Sequence, residues 1–274
     1  MNPDAPSRPA DGTLSRSIPH GLIGMIHVQA LPGSPRHARS MPEIIGHALA
    51  EATLLAKAGF DALLVENMHD VPYLRRRAQP QTIAAMTAVT REIVGAVNVP
   101  VGVQILAGAN LAALAVAQSA GASFIRAEGF VFAAVADEGF LDEADAGPLL
   151  RFRRQIGADE IAVLADIKKK HSAHAITADV GLAATARAAA FFGADGVVVT
   201  GSATGEATSL QDIEAARSAG LPVVVGSGAS PNDAPALLDL SHAIIVGSYL
   251  KEKGHWANPI DPKRVKAFLE ACGR

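Results

Sequence analysis

Asp166-Ile167-Lys168 places a carboxylate two residues before an ammonium, with Lys169, Lys170 and His171 following. Residues two apart share one face of an extended strand, so Asp166 and Lys168 are expected to meet a substrate together. A carboxylate and an amine so placed suit proton transfer. The same spacing recurs: His27 precedes Gln29, and Arg126 precedes Glu128. Glu66-Asn67, Gln104 and Thr200 likewise close short aliphatic runs. Asp166, Lys168 and Glu66 are therefore the acid/base candidates, with His27 and Arg126 to polarise or orient a substrate. Gln29, Asn67, Gln104, Glu128, His171 and Thr200 are candidates for substrate contacts. Carboxylate oxygens suit a hard cation, so Glu66, Glu128 and Asp166 are also candidates for a divalent metal such as Mg2+.

A second kind of signal is glycine. Val225-Gly226-Ser227-Gly228 and Val246-Gly247-Ser248 each end an aliphatic run in small residues. Small residues let backbone N–H groups approach an anion. Gly226, Ser227, Gly228, Gly247 and Ser248 are thus expected to hold phosphate, although glycine also serves a plain tight turn.

These residues need elements to position them. Aliphatic runs occur at Leu22–Val28, Ala62–Glu66, Val101–Leu106, Ser123–Ala127, Ile161–Ile167, Gly196–Thr200, Pro222–Gly226 and Ala243–Gly247. Helical stretches follow at Pro42–Ala58, Gln81–Val97, Asn110–Ala120, Ala146–Ile156, Ala178–Phe192, Ser209–Ser218, Pro231–Leu240 and Pro262–Ala271. Gly59, Gly121, Gly193 and Gly220 punctuate helix ends, where glycine takes the left-handed conformation. Eight such units match a (β/α)8 TIM barrel, whose chemistry collects at the carboxyl ends of the strands. The first run is not followed by G-x-G-x-x-G, which argues against a doubly wound dinucleotide fold. Every polar residue named above falls in that terminal layer. Residues 1–20 read as a polar extension and 21–274 as one barrel domain. The basic loop from Gln29 to Ser40 and the long loop from Gly129 to Ala144 are expected to lie over the mouth, the second as a lid or an oligomer contact.

Composition excludes other classes. In 274 residues, 24 Lys and Arg oppose 27 Asp and Glu, for a net charge of −3, and only 4% are aromatic. Neither a basic footprint nor stacking platforms for nucleic acid are expected. The lone Cys272 forms no intrachain disulfide and suits a reducing, cytoplasmic setting. Ile93–Ile125 is uncharged, longer than the ~20 residues of a spanning helix, but Pro100, Gln104, Asn110 and Gln118 favour passage through a protein core. The partners expected are a small phosphorylated ligand and, as is common for such barrels, further copies of the chain.

Gly24-Met25-Ile26-His27-Val28-Gln29-Ala30-Leu31-Pro32-Gly33-Ser34-Pro35 resembles the opening motif of the BtpA/SgcQ family. Glu66-Asn67, Phe124-Ile125-Arg126-Ala127-Glu128, Ala165-Asp166-Ile167-Lys168 and Val246-Gly247-Ser248 agree, and the resemblance spans about residues 20–271. It implies a barrel related to those that bind ribulose phosphate-like ligands. One branch of the family is associated with photosystem I biogenesis at thylakoid membranes, so the resemblance also admits a non-catalytic biogenesis or stability factor with peripheral membrane association. Another branch has been labelled a nucleoside triphosphatase, but the chain has no Walker A string. The Asp166–His171 string separately resembles the D-x-K-x-x-D/H signature of enzymes acting on ribose or ribulose phosphates, which occurs there on the third strand rather than the fifth.

Overall fold

The computed structural model describes residues 16–169, 171–201 and 208–274. Eight parallel strands form a closed barrel: β1 (Gly21–His27), β2 (Ala62–Glu66), β3 (Val101–Gln104), β4 (Phe124–Ala127), β7 (Ala162–Ile167), β9 (Gly196–Val199), β10 (Val223–Val225) and β11 (Ala243–Val246). Each pairs with the next in that order, and β11 pairs with β1. Helices α1 (Met41–Ala58), α2 (Pro80–Ala96), α3 (Asn110–Ala120), α4 (Ala146–Gln155), α5 (Leu182–Phe191), α6 (Leu210–Arg217), α7 (Ala234–Leu240) and α8 (Pro262–Ala271) alternate with them. The expected (β/α)8 architecture is present.

Local chemistry explains the punctuation. Glu43 accepts a hydrogen bond from the Ser40 N–H at 2.8 Å, and Pro42 occupies the first turn of α1. Gly59 and Gly121 then end α1 and α3 at φ 109° and 82°, angles that a residue with a Cβ resists. Two helices start later than their sequence pattern suggests. A 3-10 turn occupies Ala175–Thr177 before α5, and Ser230 Oγ donates to Asp233 in a turn that precedes α7.

Three short strands add to the expected set: β5 (Ala134–Ala136), β6 (Gly139–Leu141) and β8 (Ser172–Ala173). They form an antiparallel sheet ordered β6, β5, β8, with Val135 opposite both Phe140 and Ala173. The long loop after β4 is therefore a hairpin, and the segment after β7 pairs with it.

Alternation along the strands builds two cores. Ile23, Met25, Leu64, Phe124, Leu164, Val198, Val224 and Ile245 point inward and fill the barrel, while Ile26, Val65, Val103, Ile125, Val163 and Val197 point outward to the helices. Gly102 leaves the space that the Phe124 ring occupies, since a Cβ there would lie 2.2 Å from the ring. The chain before β1 closes the lower end, with Ile18 packed against the inner core. Among the described residues, no helix is long and apolar enough to cross a membrane; Ile93–Ile125 runs through α2, β3, α3 and β4.

Asp195 anchors this lower rim. It accepts from Arg16 at 2.9 Å, from Arg153 at 2.7 Å and from the Val163 N–H at 2.8 Å. Arg153 is buried, so removing the Asp195 carboxylate leaves a charge without compensation. Asp195→Ala should cost roughly 3 kcal/mol in urea unfolding. A loss under about 1 kcal/mol would show that the rim contributes little.

Candidate active site at the barrel mouth

The next inward-facing layer is polar. His27, Glu66, Gln104, Arg126, Asp166 and Thr200 all lie at strand ends and all are buried, with Gly226 and Gly247 at the remaining two strands. The ring that alternation anticipates is therefore assembled.

At its centre Arg126 reaches across the barrel. Its Nε donates to both oxygens of Asp166 at 3.2 and 3.1 Å, and its Nη2 donates to Oδ1 at 3.0 Å. Its Nη1 donates to the Gly226 carbonyl at 3.3 Å. Burial opposes the guanidinium charge, but Asp166, Glu66 and Glu128 together hold it firmly protonated. Burial pushes the Asp166 carboxyl above its usual range, against the pull of Arg126 and with the push of Glu128.

Alternation fails one residue past β7. Lys168 is expected beside Asp166, but it takes φ 46°, in the left-handed region. Its Nζ turns aside to the Thr177 carbonyl at 3.1 Å. Lys169 instead reaches Glu128 Oε1 at 3.2 Å, and Gln104 Nε2 donates to the same oxygen at 3.3 Å. Burial disfavours the Lys169 ammonium, yet Glu128 and Asp166 outweigh this and raise its pKa. A charged amine stabilises negative charge; it is a poor base and a poor nucleophile.

On the opposite wall, His27 Nδ1 lies 3.0 Å from the Trp256 carbonyl. A carbonyl only accepts, so Nδ1 carries the proton, and Nε2 faces Glu66 Oε2 at 3.9 Å. Trp256 also packs edge-on against His69 with ring centres 4.9 Å apart. Burial, with Lys251 and Arg36 nearby, lowers the His69 pKa to about 4.

Other expectations are relocated. Asn67 does not offer its side chain to the mouth: its Nδ2 donates to Asp70 at 3.1 Å and its Oδ1 accepts from the Leu106 N–H at 2.8 Å. Asp70 also accepts from the Leu31 N–H at 2.7 Å, so the pair ties three loops together. His171 stands exposed at the rim, 4.0 Å from Asp137 of the hairpin. Gln29 is half-buried in the loop after β1. Glu66, Glu128 and Asp166 do not form the expected cation site. The protein's own cations already occupy Asp166 and Glu128, and no group of three or more His, Cys, Asp or Glu suited to a metal occurs among the described residues.

Two of the loop glycines make room for side chains. A Cβ at Gly226 would lie 2.5 Å from Val198 and 3.1 Å from Arg126 Nη2, and one at Gly247 would lie 3.4 Å from His27 Nε2. Gly228 turns the chain after β10 at φ 81°. Half-buried Ser227 and Ser248 follow Gly226 and Gly247, and the Ser227 Oγ has no partner among the described residues. Gln104 Oε1 and Glu128 Oε2 are likewise buried without one. Each such atom costs about 1–3 kcal/mol unless something else meets it.

Arg76, Asp145 and Asn110 support the mouth from outside and carry no sequence signal. Arg76 Nη1 pairs with Asp145 at 2.6 Å, Asp145 accepts from Asn110 at 2.7 Å, and Asn110 brackets the Glu128 backbone at 2.7 and 3.1 Å.

His69 gives the site a pH signature. Its folded pKa lies below the unfolded value of about 6.5, so the unfolded chain binds the extra proton between the two. Stability should therefore fall as pH drops from about 6.5 toward 4, and His69→Gln should flatten that part of the curve. Denaturant melts at about pH 4.5, 5.5 and 7 measure it; an unchanged slope in the variant would refute it.

Known proteins share this architecture. The BtpA family model matches residues 19–274. An uncharacterised mitochondrial protein of Caenorhabditis elegans is 45% identical over 255 residues, 91% of each chain. The photosystem I biogenesis protein BtpA of Synechocystis is 37% identical over 252 residues, 91% of this chain and 87% of that one. Solved structures share the fold at low identity. A 3-hexulose-6-phosphate synthase superposes with TM-score 0.57 at 16% identity, over 92% of this chain and 99% of that one. The phosphoribosyl anthranilate isomerase of Thermus thermophilus gives 0.56 at 15%, over 92% and 98%. From Pro19 to Arg274 the chain belongs to the BtpA family.

Proposed function

We propose that this barrel is an enzyme that binds a small phosphorylated sugar or nucleotide-like substrate in its mouth and moves a proton on it. The observation that carries the reading is the set of buried oxygens on Gln104, Glu128 and Ser227 that lack protein partners among the described residues, gathered at the end of the barrel where such folds do chemistry. The neighbours named for phosphorylated substrates add support through the shared fold alone.

In this reading Ser227, Gly228 and Ser248 hold the phosphate, with Gly226 and Gly247 leaving the space beneath. Glu66 and His27 are the proton-transfer pair, since they face each other at 3.9 Å in the polar ring. Arg126 fixes the electrostatics of the floor, and Lys169 stabilises negative charge that develops on the substrate. Gln29, Gln104, Glu128 and Thr200 contact its polar groups. Lys168 leaves the acid/base set, since it points away from Asp166.

Saturating ligand at a hundred times its dissociation constant adds about 2.7 kcal/mol to stability. A panel of sugar phosphates and nucleotides should therefore contain a compound that raises the melting temperature by several degrees, with the rise abolished in Gly228→Asp. In D2O the protein should wash deuterium into a carbon-bound position of that compound, and Glu66→Gln should slow exchange at least about a hundredfold. Binding without exchange would defeat the catalytic role.

A second reading has one observation behind it. Val135 and Phe140, paired on the outer face of the hairpin, are exposed, as are Phe191 and Phe192 at the end of α5. Apolar surface of this kind suits a protein contact, as an assembly factor would need. An empty ligand panel with capture of a membrane-protein subunit would favour that reading.

A further inference from the structure

Lys168 differs from the other sheltered cations of this barrel. Arg126, Arg153, Lys169 and Lys251 each face a carboxylate within 3.2 Å. Lys168 is half-buried and, among the described residues, forms no ion pair and makes one hydrogen bond, to a backbone carbonyl. It also holds a left-handed backbone, which a non-glycine residue adopts only at a cost. A sheltered charge that meets no counter-charge among the described residues, on strained backbone, points to a ligand.

The surroundings specify what kind. Lys168 lines a cleft beneath the β5–β6 hairpin, where the Ser172 Oγ is buried without a partner among the described residues. Val131, Phe132 and Leu141 form the facing wall, which is apolar and strengthens any charge interaction opposite it. Asp166 and Lys169 line the same cleft, so it is continuous with the floor of the mouth. An ammonium and a hydroxyl donor opposite an apolar wall suit an oxyanion.

We infer that this cleft is a second anion subsite, formed by Lys168 and Ser172, and that the substrate carries an acidic group at each end. The inference rests on the mouth being a phosphate-ligand site. It adds that the loops after β10 and β11 take one acidic group while the cleft takes the other. It also gives Lys168 a binding role, separate from the proton transfer expected of its spacing from Asp166.

Calorimetric titration of the intact protein with inorganic phosphate at low salt tests it. Wild type should bind two phosphates per chain. Lys168→Met should weaken one site at least tenfold and leave the other unchanged; Lys168→Arg should retain both, and Ser172→Ala should weaken the same site severalfold. Gly228→Asp should remove the other site alone, with circular dichroism verifying that each variant is folded. Unchanged stoichiometry and affinity in folded Lys168→Met would overturn the subsite, while loss in Gly228→Asp would still support the mouth reading. Loss in Lys168→Met with none in Gly228→Asp would uphold the cleft and defeat the loop assignment. A wild type that binds no phosphate would overturn both.

Discussion

The mouth of this barrel is organised by one buried guanidinium. Placing Arg126 near the barrel axis would cost several kcal/mol if it stood alone, so its surroundings are constrained. Asp166 must present both oxygens from β7, the Gly226 carbonyl must accept from the end of β10, and position 226 must lack a Cβ. Three strands are thereby locked around one side chain. The remaining charges then fall into place: Lys169 answers Glu128, which would otherwise add to the negative field of Glu66 and Asp166.

Precision in that layer comes from polar groups behind it. Arg76, Asp145 and Asn110 form a chain that ends on the backbone of Glu128, while Asn67 and Asp70 bind the loops after β1, β2 and β3 to each other. These groups direct their hydrogen bonds within the protein. In front of them, Gln104, Glu128 and Ser227 retain buried oxygens that the described residues leave unmet.

Much of this is legible in the chain. Eight aliphatic runs with glycine stops specify the barrel because each feature has a local cause: strand alternation, or a left-handed helix end. Alternation also locates His27, Glu66, Gln104, Arg126 and Asp166, since it holds wherever the backbone stays extended. It misplaces Lys168 because extension stops at Ile167, and a single left-handed residue exchanges the roles of adjacent lysines. Asn67 looks like a ligand contact because nothing local reveals that Asp70 and the Leu106 N–H will claim its amide. The strands β5, β6 and β8 escape a sequence reading because runs of two or three residues are too short to carry a period. Arg76 and Asn110 meet Asp145 only through tertiary structure.

Ile18 and the inner core fill the barrel below its polar ring. A filled interior leaves no passage along the barrel axis, so the polar ring can be approached only from the carboxyl ends of the strands. The hairpin contributes Ala134 and Leu141 to the cleft that Asp166, Lys168 and Lys169 line, so it forms part of the wall on the side that remains. Residues of the hairpin can change the shape of that wall without touching the packing of the inner core, to which they contribute no side chain.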